Sequence, residues 1–241
     1  MSTLHTASGF PRYAVIAAGL VLLGLAACQT TPPAAETPPA APAVTEPGAI
    51  PAGARELHVV PEESLLQILV YRGGAMARLG HNHVIASHQL GGTVYVTATA
   101  TQTRFDIAIP VNDLTVDEPA MREMAGPDFP PNVPESARDG TRKNLLSEAL
   151  LDGAKYPAIR LRALDVIEAA NGYDMGVEIT IKDQVRTVRV PVAVERAEGS
   201  LKASGELPLK QSELGLKPFS VAMGTLIVLD DMKVRFEITA R

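Results

Sequence analysis

Apolar and polar residues alternate with a period of two over most of the chain after residue 56. In residues 188–194, for example, every second residue is valine. Successive side chains of a β-strand point to opposite faces of a sheet, so this pattern predicts strands with one buried face and one solvated face. The other clear runs are residues 104–111, 159–163, 174–181, 201–209 and 234–240.

Turn-forming residues separate these runs. Asn171-Gly172 lies between two alternating stretches and favours a tight hairpin. Residues 182–184, 198–199 and 230–231 lie between the later runs and are predicted to be turns as well. Sequential antiparallel hairpins are therefore the simplest interpretation of the second half of the chain.

Residues 117–154 form an excursion without alternation. Residues 119–124 are compatible with one or two helical turns, and the prolines between 127 and 134 favour a loop. Residues 141–151 have leucines at helical spacing, with Thr141 as the expected N-cap and Gly153 as the expected end. The excursion is thus expected to be partly helical.

About eight to ten strands with one excursion indicate an all-β single domain. A domain of this size must protect its sheet edges, and closing the sheet into a barrel or folding it into a sandwich would do so. An eight-stranded barrel can enclose one small ligand. Periodicity alone does not separate the barrel from the sandwich.

The N-terminus has the pattern of a bacterial lipoprotein signal. An apolar run over residues 13–27 follows Arg12 and ends in Leu25-Ala26-Ala27-Cys28, which resembles a lipobox. Residues 1–27 are therefore predicted to be a signal peptide, and Cys28, the only cysteine, to be the lipidated residue. By the sorting rule of enteric bacteria, Gln29 favours the periplasmic face of the outer membrane. The alternative is an ordinary signal peptide with an incidental cysteine.

A tether and one domain follow the signal. Residues 28–55 are rich in proline and alanine and are predicted to be an extended spacer, because they hold too few large apolar residues to bury a core. Residues 56–241 would form the domain. The net charge of −5 and the lack of a long Lys/Arg run argue against nucleic acid as a partner. They also argue against electrostatic docking on anionic lipids.

Four motifs in order resemble the YceI-like family of bacterial periplasmic lipid-binding proteins. They are Tyr156-Pro157 at the start of a strand, the hairpin of residues 177–194, Gln211 to Gly215, and the closing segment of residues 230–236. The resemblance covers roughly residues 57–241. Residues 60–64 replace the Asp-x-x-His-Ser segment of many relatives, and residues 79–84 resemble a histidine-rich variant of the family.

The resemblance implies an extended, lipocalin-like, eight-stranded antiparallel β-barrel with a partly helical insertion at residues 117–154. It also implies a hydrophobic pocket for an amphiphilic lipid, with a polyisoprenoid among the candidates. An alternative is that the inward side chains only form a core. The residues expected to face the pocket are Val177, Ile179, Val190, Val192, Leu207, Phe236 and Ile238.

Three clustered histidines give the second functional hypothesis. In an extended strand His81 and His83 would point to the same face, and neutral imidazoles suit zinc, copper or nickel. His88 would join them only if the chain bends. The alternatives are a metal-binding or stress-related periplasmic protein, a polar cluster that binds a lipid head group, and structural or solvent-facing histidines.

No catalytic pattern accompanies these features. The chain lacks the Gly-x-Ser-x-Gly elbow, a phosphate-binding loop and a dinucleotide fingerprint. The sequence therefore predicts a membrane-tethered binding protein rather than an enzyme. Its partners would be a lipid and, through Cys28, a membrane, and the sequence leaves a homodimer open.

Overall fold

The computed structural model describes residues 49–241, which form twelve β-strands and two α-helices. The predicted signal peptide, Cys28 and the predicted tether up to residue 48 lie outside the described residues. The elements are β1 (Arg55–His58), β2 (Leu65–Gly73), β3 (His83–Ser87), β4 (Gly91–Val96), β5 (Arg104–Pro110), β6 (Thr115–Val116), α1 (Pro119–Ala125), α2 (Glu135–Leu146), β7 (Ala158–Ala169), β8 (Gly172–Ile181), β9 (Gln184–Ala197), β10 (Ser200–Lys210), β11 (Ser220–Val221) and β12 (Leu226–Ala240).

The strands form one antiparallel sheet that closes into a barrel. The order around it is β1-β4-β5-β7-β8-β9-β10-β12, and β12 returns to β1 through the pairing of Val59 with Ala240. Two backbone hydrogen bonds join His58 and Arg241 at this closure, with N···O distances of 2.6 and 2.9 Å. The all-β barrel predicted from the sequence is confirmed.

The strand count differs from the predicted eight because three strands of the first half are interrupted. β1 and β2 form one interrupted strand beside β12. In the same way, β3 and β4 form a second interrupted strand, and β5 and β6 form a third. Short 3-10 turns at residues 61–63 and 111–113 break two of these strands. Counted as continuous ribbons, the wall still has eight members, and β11 is a short addition to β12.

The predicted hairpin turns are confirmed at three positions. Residues 170–171, 182–183 and 198–199 join β7 to β8, β8 to β9 and β9 to β10. Gly172 has a φ of 127°, and a Cβ there would lie 2.4 Å from the Val192 carbonyl oxygen. Only glycine therefore fits this first turn without strain.

The turn predicted at Asp230-Asp231 is wrong, because both residues lie inside β12. The pairing of β12 with β2 shifts register between Val228 and Met232, so the two aspartates occupy a bulge. The Asp230 carboxylate accepts hydrogen bonds from the Ser212 backbone N–H at 2.8 Å and from its hydroxyl at 2.6 Å. The aspartate thus fixes a neighbouring loop rather than reversing the chain.

The excursion contains the two expected helices, but the second lies earlier than predicted. The helix α1 agrees with residues 119–124, whereas α2 begins at Glu135 directly after Pro134 and ends at Leu146. Thr141 is therefore inside the helix and does not cap it. Gly153 does not end the helix either, since the chain turns back at Ser147 and the Leu146 carbonyl accepts the Gly153 N–H.

The excursion packs on the barrel at one end. Leu145 and Leu151 join the main hydrophobic core inside the barrel. Lys182, in the hairpin between β8 and β9, donates to the Glu148 carbonyl at 3.0 Å. A smaller cluster of Leu69, Val84 and Phe129 lies between the sheet and α1. We call the end of the barrel that the excursion covers the closed end.

The other end carries shorter connections. It holds residues 97–103, the hairpins at 170–171 and 198–199, and the segment that leads into β1. We call it the open end. Within residues 49–241, no helix is both long enough and apolar enough to cross a membrane.

Candidate functional site

A narrow apolar cavity of about 180 Å³ runs through the interior of the barrel. The side chains that line it come from every long strand and are aliphatic or aromatic almost throughout. All seven residues predicted to face a pocket line this cavity, and their contact with a ligand stays a prediction. They are Val177, Ile179, Val190, Val192, Leu207, Phe236 and Ile238.

The alternating sequence builds this cavity directly. On β9, residues 188, 190, 192 and 194 are all valines that line the cavity, whereas Arg189 and Ala193 point outward. Valine suits this position because its branched side chain packs well on a pleated surface. From Val188 to residue 196 the row is about 27 Å long at the usual rise per residue.

The two ends of the cavity differ in chemistry. Ile181, Leu209 and Leu214 line it at the closed end, where the excursion covers the barrel. At the open end its lining includes Thr103 and Arg196. Arg196 is in the inward register of β9, two residues after Val194, so a cation ends the valine row.

A second, more polar recess of about 340 Å³ adjoins the cavity at the open end. The recess and the cavity share Arg196 and Leu201. Arg55 also lines the recess, and it has the same strand parity as the buried Leu57. We call this space the arginine recess; the rest of its lining is Gly53, Leu57, Val96, Thr97, Ala98, Ala197 and Ser200.

Neither arginine of the recess is neutralised by a neighbouring acid. Among residues 49–241, the arginines in ion pairs are Arg122, Arg162, Arg189, Arg235 and Arg241. The Arg196 guanidinium instead donates to the Thr97 carbonyl at 3.3 Å and to the Thr103 hydroxyl at 3.2 Å. Sequence reasoning missed both arginines, although the inward parity of Arg196 was a usable signal.

The histidine segment serves a buried polar network. His83 Nδ1 lies 2.5 Å from Asp117 Oδ2, and the other carboxylate oxygen accepts from Arg122 and from the Val84 backbone N–H. Asp117 and Arg122 are almost completely buried. Arg122 also donates to the carbonyls of Asn82 and Pro130, both at 2.7 Å, so the network joins the start of β3 to the excursion.

The environment favours the ionised form of Asp117. Burial alone would raise the pKa of its carboxyl group, but hydrogen bonds from His83, the Val84 N–H and Arg122, together with the charge of His83, hold that pKa below its ordinary value. A charged Asp117–Arg122 pair is therefore present at neutral pH. Breaking it would leave an uncompensated buried charge.

The three histidines do not form one site. His81 precedes β3, so the prediction that it shares a strand face with His83 is wrong; their ring centroids are 6.1 Å apart. The pKa of His81 is lowered, mainly by burial and to a smaller extent by the charge of His83. His88 lies instead beside Glu118, with its Nε2 3.2 Å from the carboxylate.

Metal binding gains no support from this arrangement. In the part of the chain that the structure describes, no group of three or more His, Cys, Asp or Glu side chains is placed to hold a metal ion. Both ring nitrogens of His83 already have partners, since Nε2 lies 3.3 Å from the Thr141 hydroxyl. A metal ion at His83 would have to displace one of them.

The family model of the YceI-like domain matches residues 76–240. The chain belongs to the YceI-like family. The match spans β3 to β12 and contains the excursion, most of the cavity lining and Arg196. The resemblance carried by the sequence motifs is thus confirmed. A search of curated proteins finds no match to this chain.

Two solved structures resemble this one to different extents. The crystal structure of Burkholderia cenocepacia BcnA matches with a TM-score of 0.56 and 18% identity, over 76% of this chain and 99% of that chain. The Campylobacter jejuni YceI protein matches with a TM-score of 0.42 and 11% identity, over 63% of this chain and 80% of that chain. At such identities the likeness to BcnA establishes the architecture alone.

Proposed function

We propose that this YceI-like protein is a binding protein that holds an amphiphilic lipid, such as a polyisoprenoid, with its chain in the barrel cavity. The observation that carries the proposal is the apolar cavity itself, which has aliphatic walls along its length and a polar recess at one end. An amphiphile has the same division between an apolar chain and a polar head. Each buried methylene of such a chain contributes about 0.8 kcal/mol.

The size of the cavity limits what enters without movement of the walls. An engineered cavity of about 150 Å³ holds one benzene, and drug-sized pockets measure about 300 to 1,000 Å³. The cavity of about 180 Å³ is therefore suited to a thin hydrocarbon chain. A long polyisoprenoid would require inward side chains to change rotamer or the strands to separate.

The same proposal includes the cellular setting that the sequence predicts. The protein would be exported to the periplasm and anchored through a lipid on Cys28, at the outer membrane. Two or three acyl chains on that cysteine would give stable anchoring, whereas a single chain binds membranes only marginally. The protein would act by binding and not by catalysis.

The test is native mass spectrometry of the purified full chain, followed by organic extraction of any bound molecule. We expect an extra mass that is released as a lipid, and uptake of an added prenyl probe. Ala203→Phe places a large side chain in the cavity, since Ala203 lines it between Val194 and Ile238. This variant should lose both the bound lipid and the uptake of the probe.

Ala193→Phe is the matched control, because Ala193 lies on the same pair of strands but faces solvent. It should bind like the unmodified protein. Repeated isolation of lipid-free protein that takes up no prenyl probe would refute the proposal. Equal binding by the Ala203 and Ala193 variants would show that any lipid binds elsewhere than in the cavity.

A further inference from the structure

We infer that the arginine recess binds an anionic head group, best matched by a phosphate monoester, on the lipid whose chain occupies the cavity. This inference rests on the proposed function and deepens it by naming the ligand class. Arg196 is both the last residue of β9 that lines the cavity and part of the lining of the recess.

The two arginines continue the inward register beyond the last apolar side chains, and both are exposed at the open end. On β9 the cation is the next residue of the inward register after the four valines. Arg55 occupies the equivalent place on β1, two residues before the buried Leu57. Glu56 and Glu195, the acids next to them in sequence, have the opposite parity and face away.

The donors of Arg196 are only partly used. Its two hydrogen bonds, to Thr97 and Thr103, are at the long end of the normal range, and a guanidinium has five N–H donors. These bonds hold the group against residues 97–103, and the remaining donors are left for a ligand. Arg104 steadies the same segment by donating to the carbonyls of Thr101 and Thr103, at 3.3 and 2.9 Å.

Charge and shape favour a phosphate. Guanidinium groups bind phosphate and carboxylate through paired, charge-assisted hydrogen bonds. A phosphate monoester carries about −1.5 to −2 charges at neutral pH, which matches the two positive charges of the arginines, whereas a carboxylate would leave about one of them uncompensated. The recess, at about 340 Å³, has room for the phosphate and bound water next to the narrower cavity.

The test compares two probes with the same chain, farnesyl phosphate and farnesol, by isothermal titration with the full chain. We expect farnesyl phosphate to bind at least about 10-fold more tightly, as for hydrogen bonds between charged groups. The double variant Arg55→Gln with Arg196→Gln should lose that difference and keep its affinity for farnesol. Arg160→Gln, which removes one exposed arginine from the outer wall, should change neither affinity.

The outcomes separate this inference from the function on which it rests. If both probes bind equally, or if the double variant keeps the preference for phosphate, the head-group assignment is wrong and the lipid-binding function stands. If neither probe binds, both fail. A preference for dodecanoate over farnesyl phosphate would overturn the phosphate assignment in favour of a carboxylate. Circular dichroism spectra matching the unmodified protein show that the double variant is folded.

Discussion

The substitution Asp117→Asn tests whether the buried ion pair holds the excursion on the barrel. Asparagine has nearly the shape of aspartate and tolerates the left-handed backbone at this position, where φ is 55°. Its amide oxygen can still accept the Val84 N–H. The change therefore removes mainly the negative charge, and it leaves the Arg122 guanidinium buried without a counter-ion.

The expected cost is about 3 kcal/mol, the lower end of the range for breaking a buried pair, because the Val84 hydrogen bond is kept. For a domain of this size that lowers the midpoint of thermal unfolding by roughly 6 to 12 °C. Urea and thermal unfolding followed by circular dichroism measure both quantities. Asp113→Asn, at an exposed position of a neighbouring turn, is the control and should change stability by less than about 0.5 kcal/mol.

The same pair predicts a pH dependence. Since the pKa of Asp117 is lower in the folded protein than its ordinary value of 3.8, its contribution is fully present above that value. The contribution is lost as the pH falls through the depressed folded-state pKa. The stability difference between the unmodified protein and Asp117→Asn should thus narrow in strong acid. Equal stability of the Asp117 and Asp113 variants at neutral pH would refute the reasoning.

Two further predictions concern the anchor and a turn. Cys28→Ser should move the protein from the membrane fraction of the cells to the soluble fraction and remove the mass of a diacylglycerol; unchanged fractionation would refute the lipobox assignment. Gly172→Ala should cost about 1 to 3 kcal/mol in urea unfolding, because its Cβ meets a backbone oxygen at a positive φ. Gly199→Ala also has a positive φ but meets nothing within 4 Å, so an equal cost for both would contradict the steric argument.

The inward-facing residues could be predicted from the sequence because apolar and polar residues alternate along each strand. The valine row of β9 and its partner rows were visible as every second residue, whereas the barrel and its pocket were implied by the family resemblance. The bulge at Asp230 was not predictable in the same way. Two aspartates between apolar runs are compatible with a turn and with a bulge. The bulge is evident only from the pairing with β2 and from the hydrogen bond that the Ser212 N–H donates to Asp230.

The polar features needed long-range contacts that sequence spacing does not contain. Asp117 lies 34 residues from His83, and the chain between them folds back so that the carboxylate reaches the imidazole. Arg196 and Arg55 line the same recess although they are 141 residues apart in the chain. A search for motifs passes over such residues, whereas following the inward register past the last apolar side chain would have found Arg196.

The two ends of the barrel differ, and this difference bears on how a lipid would be loaded. The excursion, held by Asp117 and Arg122, closes one end, so a lipid would enter at the arginine recess. Gly53 and Arg55 line that recess, and the chain therefore leaves the barrel at the rim of its own opening. An amphiphile drawn straight out of a bilayer moves with its head group first, so its head would pass the arginines before its chain entered the barrel. A head-group site at the open end of the barrel thus favours loading in which the hydrocarbon chain of the lipid enters first, either from a carrier protein or between separated strands. The head group of the lipid then stays at the arginine recess.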